Sequence, residues 1–182
     1  MIELYIGGCR SGKSSAALER AEQIGARRKL FIATCQALDA EMHDRIERHR
    51  QERDPSWETL EEPIEIANLI QIHSAPQTVI LVDCLTLWLT NLILRDADDD
   101  ALQKRIETLE DALSTARGPV LLVANEVGLG IVPENALSRR FRDWAGSLNQ
   151  KMARCAHQVV WTVAGIPVPI KSPLSTGSFP AP

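Results

Sequence analysis

The stretch Gly7-Gly8-Cys9-Arg10-Ser11-Gly12-Lys13-Ser14 matches the pattern G-x-x-x-x-G-K-[ST], and it limits the possible folds more than any other part of the chain. Such a loop works only between a buried strand and a helix. Its glycines let the backbone curl until several N–H groups converge on one anion, and the following helix adds the positive end of its dipole. Both flanks are present: an apolar run, Ile2–Ile6, precedes the loop, and an amphipathic pattern, Lys13–Ala26, follows it. On this pattern Lys13 reaches the β- and γ-phosphates of a nucleoside triphosphate, and the Ser14 hydroxyl holds Mg²⁺.

The remainder of the chain continues the same rhythm. Apolar runs at Lys29–Thr34, Val79–Asp83, Pro119–Asn125 and Val159–Ala164 read as strands. They are rich in Val, Ile and Leu rather than alternating, as strands covered on both faces are. Helical patterns occupy Asp39–Arg53, Pro63–His73, Leu85–Leu94, Ala101–Ala116 and Ala136–Ala156. Strand and helix in alternation predict an α/β fold, a mainly parallel sheet with helices on both faces. At 182 residues, 45% apolar and 24% charged, the chain suits one domain with a sizeable core. We assign residues 1–171 to that domain and 172–182, rich in proline and small polar residues, to a tail. Net charge is −4 with no Lys/Arg block, which argues against nucleic acid as a partner. No apolar run is long enough to cross a bilayer, no leader precedes the first strand, and the four cysteines (Cys9, Cys35, Cys84, Cys155) have neither disulfide nor zinc spacing. A cytoplasmic protein is expected.

A phosphate cradle needs an acidic residue near the metal, normally at the end of another buried strand. Asp83, closing Val79–Asp83, is the first candidate, and it could equally cap the helix that follows. Glu126, just past Asn125 in a glycine-containing loop, is the second. The acidic run Asp96–Asp100 reads as a solvated break whose last residue, Asp100, caps the helix near Ala101.

On the Asp39–Arg53 helix, Met42, Ile46, His49 and Arg53 share a face. Arg45 and Arg53 flank His49 one turn away on either side, and Arg48 and Arg50 adjoin it. Those charges favour a neutral imidazole near pH 7, able to attack phosphorus while guanidinium groups steady the phosphate oxygens. A solvated basic helix face fits the residues equally well. His43 stands among acidic neighbours, and His73 and His157 lie in segments without other chemistry.

Together these elements resemble the bifunctional adenosylcobinamide kinase/adenosylcobinamide-phosphate guanylyltransferases of cobalamin biosynthesis. The resemblance runs from Ile6 to Lys171. It rests on the Gly7–Ser14 loop, Ile32-Ala33-Thr34, Asp39 with Glu41-Met42, Arg45-Ile46 and His49-Arg50, then Trp57, Thr59 and Glu61-Glu62-Pro63. It continues through Val82-Asp83-Cys84-Leu85-Thr86-Leu87-Trp88-Leu89-Thr90-Asn91-Leu92 and the distinctive Asn125-Glu126-Val127-Gly128-Leu129-Gly130-Ile131-Val132-Pro133-Glu134-Asn135, followed by Arg139, Phe141-Arg142-Asp143 and Gly146–Gln150.

The resemblance implies a RecA-like P-loop fold and two reactions. ATP or GTP phosphorylates adenosylcobinamide; GMP from GTP then passes to that phosphate through a histidine–GMP intermediate, for which His49 is the matching position. It further implies nucleotide contacts from Gly7, Gly8, Cys9, Arg10, Ser11, Gly12, Lys13 and Ser14, from Ala33, Thr34 and Cys35, from Arg50, and from the acidic Glu61, Glu62 and Asp83. Ser14 and Asp83 are the implied Mg²⁺ positions. A homotrimer is also implied, and trimer contacts would account for the apolar excess of Leu85–Leu89. Cys9 departs from the alanine usual inside the loop. Two rival readings remain from the residues alone: a small-metabolite kinase without nucleotidyl transfer, and a regulatory P-loop ATPase in which His49 only packs.

Overall fold

The computed structural model describes residues 1–36, 54–95 and 98–172. The helix expected over Asp39–Arg53, with His49 and Arg50, lies outside the described residues, as does the tail beyond Ser172.

Seven strands form one sheet: β1 (Ile2–Gly7), β2 (Arg28–Ala33), β3 (Trp57–Glu61), β4 (Thr78–Asp83), β5 (Val120–Asn125), β6 (Gln158–Val163) and β7 (Ile166–Lys171). Their order is β3-β2-β4-β5-β1-β6-β7, and every pairing is parallel except β6–β7. The described helices are α1 (Lys13–Gln23), α2 (Ile66–His73), α3 (Leu85–Arg95), α4 (Asp99–Ser114) and α5 (Ala136–Cys155). This is the expected doubly covered parallel sheet.

Strand parity sorts side chains to the two faces. Leu4, Ile32, Ile80, Val82 and Leu122 pack with residues of α2, α3, α4 and α5 in one cluster. Tyr5, Phe31, Leu81, Leu121 and Val123 pack with Ala17 and Ala21 of α1 in the other. The α1 face is tied down by a buried carboxylate. Glu3, 1% exposed, accepts from Tyr5 Oη at 3.1 Å and from Arg20 Nε and Nη2 at 3.0–3.2 Å. Burial, then the Glu3 charge, pushes the Tyr5 phenol well above its usual range, so it stays a donor at every working pH.

Four expectations need correction. The apolar excess of Leu85–Leu89 serves the chain's own core: Leu85, Trp88, Leu89 and Leu92 are at most 1% exposed, each stabilising the domain by about 2 kcal/mol. The cap of α4 is Asp98, whose side chain accepts from the Asp100 backbone N, so the helix begins two residues before Ala101. Helix α1 stops at Gln23, short of Ala26, where Gly25 turns into a positive φ of 66°. Finally, β3 and β7 were not anticipated. β3 is a short, half-polar edge strand. β7 carries Pro167 and Pro169, which only an edge position tolerates because its outer N–H groups need no partner.

Candidate active site

The parallel strands all deliver their carboxyl ends to one edge of the sheet, where an open α/β fold binds ligands. Gly7, Asp83, Asn125 and Thr162 occupy the last α1-facing positions of β1, β4, β5 and β6, as their parity with Tyr5, Leu81, Val123 and Val160 dictates. Gly7 is in register with Asn125 and Thr162, and Asp83 pairs with Val123, two residues lower. Strand β5 thus stands between the cradle's strand and that of Asp83.

The cradle is shaped by close approaches. A Cβ on Gly7 would lie under 3.0 Å from the Thr162 carbonyl O and 2.5 Å from Ser11 Oγ; one on Gly12 would lie 3.1 Å from Gly165 Cα. Gly12 also holds φ at +91° as the cap of α1, and Arg10 sits at +54°. The β6–β7 turn closes this side, Gly165 N donating to Ser11 O at 2.9 Å. Lys13 is buried, and its Nζ donates to Gly8 O at 3.1 Å. The ammonium therefore caps the loop's own carbonyl, as a group waiting for a phosphate can. Gly8, Cys9 and Arg10 are exposed along the loop, whereas Ser11 is buried beneath it. The hydroxyls Ser11 Oγ and Thr162 Oγ1 are buried without hydrogen-bond partners among the described residues.

The β2 and β4 ends are stitched together. Thr34 Oγ1 donates to Cys84 O at 2.7 Å and accepts from Cys84 N at 2.9 Å, while Asn91 Nδ2 donates to Thr34 O at 2.8 Å. Burial, reinforced by the Asp83 charge, pushes the Cys84 thiol up to about 11; Lys13 is close enough to oppose that shift. Ala33, Thr34 and Cys35 therefore belong to this same edge, and Ser14 lies in the first turn of α1. Glu61 is exposed at the end of β3. Glu62 follows it, its Oε1 accepting from Ile64 N and Glu65 N at the start of α2. Ser14, in the first turn of α1, and Asp83, at the end of β4, both lie at this edge. Among the described residues no trio of His, Cys, Asp or Glu forms a protein-only cage.

Glu126 N donates to Gly7 O at 3.0 Å, joining the second acidic candidate to the cradle, and Glu126 Oε1 accepts from Gly128 N at 2.6 Å. Two residues of α5 clamp this segment from the opposite face. Asn149 Nδ2 donates to Asn125 O at 3.2 Å and Arg142 Nη2 to Gly128 O at 2.6 Å. Sequence reading assigned no role to Asn91, Asn149 or Thr162. Only their partners in space reveal them. His157 Nδ1 accepts from Ile2 N, and His73 meets Arg28, so neither reaches the cradle.

Comparison with known proteins decides the family. The family described as cobinamide kinase / cobinamide phosphate guanyltransferase matches residues 3–170. The chain belongs to it. A bifunctional adenosylcobalamin biosynthesis protein, CobP, of Pseudomonas aeruginosa is 46% identical over 171 residues, spanning 94% of this chain and 98% of that one. Its counterpart CobU of Escherichia coli K12 is 41% identical over 186 residues, spanning 94% and 100%. A solved Pyrococcus horikoshii OT3 protein shares the fold alone, at 8% identity and TM-score 0.54, covering 94% of this chain and 86% of the other. The bifunctional kinase/guanylyltransferase implied by the sequence resemblance is thus that of the cobinamide kinase family, and the loop sits where the expected mainly parallel sheet places it.

Proposed function

We propose that the chain phosphorylates adenosylcobinamide with ATP or GTP at the Gly7–Ser14 cradle. It then transfers GMP from GTP to the new phosphate through His49, releasing pyrophosphate and forming adenosylcobinamide-GDP. The observation that carries this reading is Lys13: a buried ammonium resting on Gly8 O at 3.1 Å, in a loop built by close contacts at Gly7 and Gly12, in a chain of this family.

In the kinase step the substrate hydroxyl oxygen bonds the γ-phosphorus, its proton is lost, and the bond to the β-bridging oxygen breaks. Cradle N–H groups and Lys13 meet the charge that develops on the leaving phosphates. Ser14 and Asp83 would hold Mg²⁺. These two oxygen donors fit an ion that takes its remaining positions from phosphates and water, and it would neutralise triphosphate charge there.

In the second step an imidazole nitrogen of His49 bonds the α-phosphorus, and pyrophosphate leaves with the electron pair into the cradle. A phosphate oxygen of the substrate then displaces the imidazole. The arginines at 45, 48, 50 and 53 support this role by favouring a neutral ring. Ala33, Thr34, Cys35, Arg50, Glu61 and Glu62 complete the proposed nucleotide contacts. We place the enzyme in the cytoplasm as a homotrimer. The exposed apolar side chains Trp161, Val163, Ile166 and Val168 on β6 and β7 are suited to lie between copies.

Mass spectrometry of the intact protein after GTP and Mg²⁺ treatment tests the intermediate. One GMP adduct, acid-labile and base-stable, is expected on wild type and none on His49→Ala, which keeps phosphorylating cobinamide. Labelling that survives in His49→Ala, or loss of both activities in a folded variant, refutes the assignment.

A further inference from the structure

Arg142 is a cation with unfinished hydrogen bonding beside the cradle. One arm of its guanidinium, Nη2, donates to Gly128 O; the other, Nη1, is buried without a hydrogen-bond partner among the described residues. No carboxylate forms a salt bridge with it among the described residues. Its neighbours on α5 are engaged: Arg139 donates to the carbonyls of Pro133 and Glu134, and Arg140 pairs with Asp99. A buried guanidinium N–H with neither anion nor carbonyl is costly, and a bound anion removes that cost.

Its location identifies which anion. Glu126 N donates to Gly7 O, Gly128 N donates to Glu126 Oε1, and Arg142 Nη2 donates to Gly128 O. Arg142 is therefore adjacent to the cradle, but it approaches the sheet edge from the α5 face, whereas the cradle and α1 lie on the α1 face. The triphosphate is already served by Lys13 and the cradle amides. The family's second reaction brings a further anion to this edge, the phosphate monoester made in the first.

We infer that Arg142 is the acceptor-phosphate subsite: its free guanidinium arm holds the phosphate of cobinamide phosphate at the sheet edge, on the side opposite the nucleotide. The monoester keeps one oxygen for attack. That oxygen's lone pair forms the new P–O bond to the GMP phosphorus, the P–N bond to the histidine breaks, and its electrons return to the imidazole nitrogen. This last detail rests on the proposed histidine intermediate; the subsite itself does not. Because the unphosphorylated substrate has no such anion, Arg142 favours the intermediate over the starting compound.

The test compares Arg142→Gln and Arg142→Lys with wild type in the intact enzyme. Gln keeps a donor for Gly128 O but no charge; Lys keeps a charge without the fork. Steady-state kinetics should show the KM for cobinamide phosphate rising about tenfold to a hundredfold more than the KM for cobinamide in Arg142→Gln, with Lys intermediate. Equal losses toward both substrates would make Arg142 only a loop clamp, and a matching fall in acceptor-free GMP labelling would assign it to the triphosphate. Either outcome, or an unchanged KM, overturns the inference. If wild type forms no GMP adduct, the histidine reading fails while the KM comparison still decides the subsite.

Discussion

Two adjacent glycines should fail in different ways when each is given one methyl group. At Gly7 the added carbon meets the Thr162 carbonyl O and Ser11 Oγ, both well inside van der Waals distance. The carbonyl belongs to β6, held in register against β1, so it cannot swing aside without loosening the Gly7–Thr162 pairing. Overpacking of this kind costs about 1–3 kcal/mol. For a domain of this size that lowers Tm by about 2 to 12 °C. At Gly8 none of the described residues lies within 4 Å of the added carbon, the residue is exposed, and its φ is not positive. Gly8→Ala should therefore melt within about 2 °C of wild type. Its methyl group occupies the mouth of the cradle instead, displacing phosphate from its donors, so nucleotide Kd should rise about tenfold to a hundredfold. Differential scanning fluorimetry and equilibrium titration with a fluorescent GTP analogue read the two effects. If Gly8→Ala loses as much stability as Gly7→Ala, or Gly7→Ala melts like wild type, the packing account of the cradle is wrong.

Lys13→Ala should depress both phosphorylation and guanylyl transfer by about a hundredfold or more, because both leaving groups develop charge in the same cradle; an effect on one reaction alone would separate the two sites. Alkylation at pH 7.5 with peptide mapping should modify exposed Cys9 and spare Cys84, whose thiol is pushed up to about 11 by burial and by Asp83; GTP should protect Cys9. Hydrogen bonds from Arg140, then Trp144, hold the Asp99 carboxyl below its usual range. A depressed folded pKa gives stability that is present above the unfolded value and lost as pH falls through the folded one. The difference between wild type and Asp99→Asn in urea titrations should accordingly be full near neutrality and vanish in acid. A difference that grows in acid would reverse the sign and refute the pairing.

Much of the site was readable in one dimension because the contacts that build a P-loop are local. Gly7, Gly12, Lys13 and Ser14 fall within eight residues, and the strand before them and helix behind them announce themselves by apolar run and amphipathic period. The same holds for Asp83, whose place at the end of a buried run needs no knowledge of its neighbours. Long-range pairing is another matter. Trp57–Glu61 and Ile166–Lys171 do not read as strands by apolar run, because an edge position tolerates the polar residues and prolines that an interior one rejects. The apolar excess of Leu85–Leu89 has no assigned partner in the sequence, and only the packing of α3 against the sheet shows that the core takes it. The order β3-β2-β4-β5-β1-β6-β7 exists only in the folded sheet, and it alone sets Asn125 beside Gly7, brings Thr162 against the cradle and swings Arg142 of α5 onto Gly128. Sequence by itself determined the phosphate chemistry, since a nest is made by consecutive amides. Tertiary structure decided which cations and amides from distant segments surround it, since those meet only when strands far apart in the chain become neighbours.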